Sequence, residues 1–258
     1  MKVIIESVSH RYGDVVALDG IDLEVESGEI VAVIGPSGCG KSTLLSIVGG
    51  IQRPSSGRIL TEGTPDPRSL NPLTYVFQDF ALLPWRSVEA NISFALEDRP
   101  IDAKERAARI EDALARTGLT EFRKAYPKQL SGGMRQRVGI ARALAVTPQV
   151  LLMDEPLSAL DAQTRELLMD DFLALWMRQK MGAIYVTHNL AEAVRLADRI
   201  VVLSRRPGRI REIAWVDVPQ AERTTPAAAG HLAALQEKLW GLMRNEAHMA
   251  DRELGNHE

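Results

Sequence analysis

The chain is poor in several things, and each shortage removes a class of function. It holds one cysteine, Cys39, in 258 residues, so no disulfide can close within it and a reducing compartment is expected. It has no surplus of charge: 31 Lys and Arg against 34 Asp and Glu give −3, so nothing in bulk attracts nucleic acid or an anionic membrane surface. Apolar runs such as VLLM at 150–153 and IVVL at 200–203 fall far short of a bilayer span. The opening MKVIIESVSHRYG lacks the apolar stretch and cleavage site of a secretory signal. No internal repeat or low-complexity segment stands out. The expectation is a soluble, cytoplasmic chain that meets a membrane only through a partner.

What is present is ordinary globular material, 45% hydrophobic and 25% charged. That is enough for one large domain with an inserted or appended piece. Alternating or apolar runs predict strands at 2–8, 20–26, 29–35, 57–63, 73–78, 149–155, 182–188 and 198–204. Helices are predicted at 41–49, 161–180 and 189–197, and at 102–118 behind an Asp102 cap with Glu105 three residues on and Gly118 as the stop. The alternation of strand and helix predicts an α/β fold with a mostly parallel core sheet and an N-terminal antiparallel β part. Residues 80–145 change character and read as an inserted helical subdomain, within a body of 1–218. The tail 219–258 carries Leu232, Leu235, Leu239, Leu242 and Met243 at helical spacing. A short amphipathic helix packed on the body is the simplest reading, and a partner-binding helix is the other.

The sharpest local signal is GPSGCGKST at 35–43. It fits G-x-x-x-x-G-K-[ST], follows a predicted strand and opens a helix. Gly35, Pro36, Ser37, Gly38, Cys39 and Gly40 form a loop whose backbone N–H groups can wrap a phosphate chain. Lys41 reaches the β- and γ-phosphates, and Ser42, followed by Thr43, offers a hydroxyl to Mg²⁺. Cys39 reads as a small filler rather than a reactive thiol. LLMDEP at 151–156 carries Asp154 to the C-terminal end of an apolar strand, where α/β ligands bind and an Asp can hold Mg²⁺. Glu155 beside it can act on the γ-phosphate and its water, although an acidic pair after a strand is in most chains a solvated loop. The N-K-x-D signal of a guanine reader is absent.

A second glycine-rich helix start, LSGGMRQ at 130–136, completes a resemblance. In order the chain shows the phosphate loop, VFQD with Gln78, LSGGMRQ, LLMDEP, SALD at 158–161 and VTHNLAEA at 186–193. It resembles the ATP-binding subunit of an ATP-binding cassette (ABC) transporter, through about residue 210. The resemblance implies a P-loop NTPase cassette, Mg²⁺ with ATP as cofactor, and two copies paired head to tail as a homodimer. Ser131, Gly132, Gly133 and Asp161 would then serve ATP held by the other copy. Tyr12 would stack on adenine, although a Tyr before Gly13 is also a common strand end. Gln78 would complete the Mg²⁺ shell or touch the attacking water, and His188 would contact the γ-phosphate; a histidine there can equally be structural. Asn189 stands where many relatives have Asp, with a mild effect expected. Arg135 and Arg137 read as a solvated helix face or as positive field toward the partner's ATP.

The resemblance further implies two membrane-spanning permease subunits, a periplasmic or lipid-anchored substrate-binding protein, no nucleic acid, and a peripheral place on the cytoplasmic face of a bacterial inner membrane. Phe80, Leu82, Leu83 and Trp85 form an apolar cluster that reads as subdomain core, as a permease-docking groove, or as both. FQDFALLPWRSVEANI and VVLSRRPGRI resemble the nitrate, sulfonate and taurine importer branch. Bicarbonate or a thiamine-pyrimidine precursor is the alternative cargo, and a soluble non-transport ABC ATPase the alternative of another class.

Overall fold

The computed structural model describes residues 1–79, 81–158, 160–179 and 181–254, with side chains described for all of these except 179, 245 and 247–254. Phe80 and Ala159 lie outside the described residues. The strands are β1 (Lys2–Tyr12), β2 (Val15–Val25), β3 (Ile30–Ile34), β4 (Ser56–Glu62), β5 (Leu73–Val76), β6 (Val150–Asp154), β7 (Gly182–Val186), β8 (Arg199–Leu203) and β9 (Ile210–Trp215). The helices are α1 (Lys41–Val48), α2 (Val88–Phe94), α3 (Ala103–Arg116), α4 (Gly132–Ala145), α5 (Ala162–Gln179), α6 (Leu190–Leu196) and α7 (Pro226–Leu254). They fall into two compact units, Met1–Gly63 with Gly182–Glu258, and Thr64–Met181.

In the first unit β2, β1 and β4 form an antiparallel sheet in that order. β1 and β2 run longer than their apolar patterns predict, because Gly13, at φ +58°, turns the chain directly from one into the other. Beside them β3 pairs in parallel with β7 and β8, and β9 closes onto β8 antiparallel. Every residue of β3 and of β7 is buried, as parallel strands covered on both faces require. α7 is 29 residues long, not the short helix its leucines suggest. The predicted stripe is nonetheless the packed one: Leu239 is fully buried, Leu232 and Leu235 partly, and the helix contacts α6 and β8.

In the second unit β5 and β6 pair in parallel, Leu73 opposite Val150. α2, α3 and α4 close over Val88, Ile92, Leu114, Leu119, Val138 and Ala141. Asp102 caps α3 through the Glu105 N–H at 2.7 Å, and Gly118, at φ +66°, ends it, both as predicted. The Glu105 carboxylate does not reach back to the cap. It pairs with Arg109 one turn on, and Arg109 in turn ties α3 to the Ala145 carbonyl and Thr147 hydroxyl. Leu168, Phe172 and Trp176 bury the predicted face of α5, with Leu175 half-buried. Among the described residues no helix is long and apolar enough to cross a membrane.

Candidate functional site

The loop between β3 and α1 has the shape its glycines foretell. Gly38 and Gly40 sit at φ +74° and +102°, where a Cβ is strained. Lys41, 7% exposed, turns its ammonium back to the carbonyl oxygens of Gly35 and Pro36 at 2.8 and 3.0 Å. Among the described residues no carboxylate is within ion-pair distance of it. A buried cation paired only with dipoles, beside the bare N–H groups of a helix start, favours a polyanion. The loop therefore fits a phosphate chain. Cys39 is buried, and that burial pushes its thiol up, so it is the filler expected and not a nucleophile.

Tyr12 ends β1 with its ring half-exposed, and its hydroxyl lies 3.3 Å from the Thr43 hydroxyl and donates to Gln52 Oε1 at 2.8 Å. Gln52 also meets His10 Nε2 at 3.1 Å, so a polar pair fixes the aromatic ring beside the first turn of α1. His188 is exposed between two anchored neighbours. Thr187 is buried and donates to Glu192 at 2.7 Å, as does Tyr185 at 2.9 Å. Asn189 caps α6 through the N–H groups of Ala191 and Glu192. An amide oxygen performs this cap as a carboxylate would.

In the second unit the acidic end of β6 is held by groups far away in sequence. The Tyr75 hydroxyl donates to Asp154 Oδ2 at 3.1 Å. Glu155 adopts φ +44°, a left-handed conformation costly for a non-glycine residue and concentrated at functional sites. Gln78 Nε2 donates to Ser158 Oγ at 3.1 Å, and Ser158 Oγ donates to the Glu155 carbonyl at 2.9 Å. Gln78 and Glu155 are thus joined through Ser158. Asp161 accepts from the Thr164 N–H at the start of α5, which holds its carboxyl below the usual range. Within this unit the Asp154 carboxylate and the Gln78 amide oxygen are hard oxygen donors of the kind Mg²⁺ takes.

The Gly132–Gly133 pair has a packing reason besides any phosphate. Ser131 caps α4 through the Met134 N–H at 3.2 Å. A Cβ on Gly133 would stand 2.9 Å from Thr164 Cγ2 of α5, whereas one on Gly132 would meet the flexible ends of Leu160 at 3.2 Å and Arg135 at 4.0 Å. Gly133→Val is therefore expected to lower stability in urea unfolding by about 1–3 kcal/mol through overpacking; Gly132→Ala is expected to cost less. Arg135 is tied to the Leu130 carbonyl and Arg137 to Asp171 at 2.5 Å, which favours the helix-face reading of both.

Of the apolar cluster after Gln78, Leu82 and Leu83 are half-buried and Leu82 packs on the helical core, while Trp85 is 71% exposed. Asn91, fully buried, ties this loop down. Its Oδ1 accepts from the Leu83 N–H, and its Nδ2 lies 3.0–3.1 Å from the Leu83, Arg86 and Ser87 carbonyls.

A glycine loop around a buried lysine, opening a helix from a parallel strand, defines a P-loop nucleoside triphosphatase. The chain belongs to the ABC transporter family, whose model matches residues 18–158. It is 44% identical over 230 residues to an uncharacterised ABC transporter ATP-binding protein of Methanocaldococcus jannaschii, covering 89% of this chain and 85% of that one. It is 47% identical over 200 residues to the taurine import ATP-binding protein TauB of Burkholderia pseudomallei, with 78% and 77% covered. To the nitrate import ATP-binding protein NrtD of Synechocystis it is 43% identical over 214 residues, with 83% and 80% covered. Among solved structures it is similar to a dimeric ATP-binding cassette in a post-hydrolysis state bound to ADP and Pi, at TM-score 0.71 and 30% identity. That match covers 84% of this chain and all of the other. The protein is an ABC-type ATPase with the α/β cassette fold.

Proposed function

We propose that this chain is the ATP-hydrolysing subunit of a membrane importer for a small anion such as an aliphatic sulfonate, taurine or nitrate. The observation that carries it is the buried Lys41 ammonium, without a carboxylate partner among the described residues, inside a glycine-shaped loop. The cargo class rests on a nitrate and a taurine import ATP-binding protein to which the chain is 43% and 47% identical. In this reading the loop from Gly35 to Thr43 holds the phosphates and Tyr12 backs the adenine. Ser42, Gln78 and Asp154 would hold Mg²⁺, which would supply neutralisation of phosphate charge when bound with ATP. Glu155 takes the proton of the attacking water, with Gln78 and His188 keeping that water in line. Ser131, Gly132, Gly133 and Asp161 serve the nucleotide of a second copy, so each copy completes its partner's pocket. The pair sits at the cytoplasmic face of the membrane on two permease subunits, supplied with cargo by a substrate-binding protein.

Two measurements test this. Turnover per chain is expected to fall as the isolated protein is diluted, because a lone copy lacks half of each pocket; full activity in strictly monomeric protein would contradict the paired site. In vesicles carrying the permeases, ATP turnover is expected to drive uptake of one anion from a panel of taurine, alkanesulfonates, nitrate and bicarbonate. Uptake of none would leave a non-transport ATPase as the better reading.

A further inference from the structure

The turn between β8 and β9, SRRPGR at 204–209, is left unused by the nucleotide site, yet it presses on the back of the phosphate loop. A Cβ on Gly208 would lie 2.1 Å from the Cys39 carbonyl oxygen, a backbone atom that cannot swing aside. Gly208 is stitched to β2 on both sides: its N–H donates to the Ala17 carbonyl at 2.9 Å, and its carbonyl accepts from the Asp19 N–H at 3.0 Å. Leu18, between those two residues, is fully buried and fills the space behind Gly40, where a Cβ would meet Leu18 Cδ2 at 2.6 Å. The turn is therefore a rear wall for the loop.

That wall is gripped from the C-terminal helix. Glu246 of α7 is buried at 6% exposure. Its Oε2 accepts from the Arg205 N–H at 3.1 Å, and its Oε1 lies 3.5 Å from Arg211 Nε on β9. A buried carboxylate needs such partners, and here they come from both limbs of the hairpin. The turn also holds itself: Ser204 Oγ donates to the Pro207 carbonyl and accepts from the Arg209 N–H, each at 3.0 Å. A displacement of α7 at Glu246 is thus passed through a stiff turn to the Cys39 carbonyl.

We propose that Gly208 and Glu246 are positioning residues for the phosphate loop, and that the C-terminal helix thereby tunes nucleotide affinity. The proposal rests on the reading of residues 35–43 as the phosphate site. A brace that shapes a loop alters how well phosphate fits, and leaves the groups that handle water untouched. The expected signature is a change in Kd and KM with kcat preserved.

The test is ADP titration by calorimetry and steady-state ATPase kinetics on the full chain, with urea unfolding alongside. Gly208→Ala is expected to weaken ADP binding about tenfold or more, and Glu246→Ala about threefold to tenfold, with kcat within about twofold of the parent. Glu246→Gln keeps an acceptor for the Arg205 N–H and is expected to restore affinity to within about twofold. If Gly208→Ala does not fold, Glu246→Ala decides. Unchanged ADP affinity in Glu246→Ala, with only the urea midpoint lowered, overturns the proposal and leaves α7 a stabilising helix. Lys41→Ala is the control: if it still binds ADP at parental affinity, the phosphate-loop reading itself fails, and the two failures are told apart.

Discussion

Glu155→Gln is expected to bind ATP normally, to lose about three decades of turnover, and to accumulate as an ATP-dependent dimer. The loss corresponds to about 4 kcal/mol of barrier. The amide keeps the size and hydrogen-bonding reach of the carboxylate but cannot accept the proton of water. Binding should persist because the charge that attracts phosphate belongs to Lys41, which donates to the Gly35 and Pro36 carbonyls of its own loop. Backbone strain sharpens the expectation. Glu155 is held at φ +44° while Ser158 bonds its carbonyl, an arrangement that places one carboxylate rather than letting it wander. Single-turnover hydrolysis with size-exclusion chromatography in ATP measures both parts. A variant that turns over ATP at the parental rate would remove Glu155 from the chemistry.

Trp85→Glu is expected to abolish uptake and weaken assembly with the permeases at least tenfold, with ATP affinity unchanged. A desolvated indole is the kind of side chain on which an interface concentrates its energy, about 2 kcal/mol or more for one anchor. Trp85 is exposed, whereas Leu83 beside it is half-buried with its backbone bound to Asn91. The contrast separates two variants that look equivalent in the sequence. Leu83→Glu is expected to disturb the half-buried loop that Asn91 holds as well as docking, so its loss of transport does not separate the two. Co-purification with the permeases from detergent, followed by vesicle uptake, gives the answer. Normal transport with glutamate at position 85 would place the docking surface elsewhere.

The parts of the site legible in the sequence are those whose geometry is made locally. Nine consecutive residues shape the phosphate loop, and the Asp102 cap is set by an N–H three positions on. The supporting groups were invisible for the opposite reason. Tyr75 meets Asp154 across 79 positions, Gln78 meets Ser158 across 80, and Tyr12 meets Gln52 across 40. Nothing in local pattern marks a tyrosine on a strand as the partner of an aspartate on the next. Gly133 shows a subtler limit. The doublet at 132–133 suggests a phosphate contact in the sequence, but the packing demand of Thr164 on α5 emerges only when two helices meet. The length of α7 escaped because its leucine stripe ends at Met243, while helix-forming polar residues carry it on to Leu254.

The amide of Asn91 has one further consequence. A lever delivers its stroke only if the handle does not bend, and residues 83–87 contain no regular element of their own to resist bending. One sequestered side chain knots their main chain to the first turn of α2, so a push on the indole, were a partner to dock there, would be carried into the helices instead of being absorbed by the segment itself.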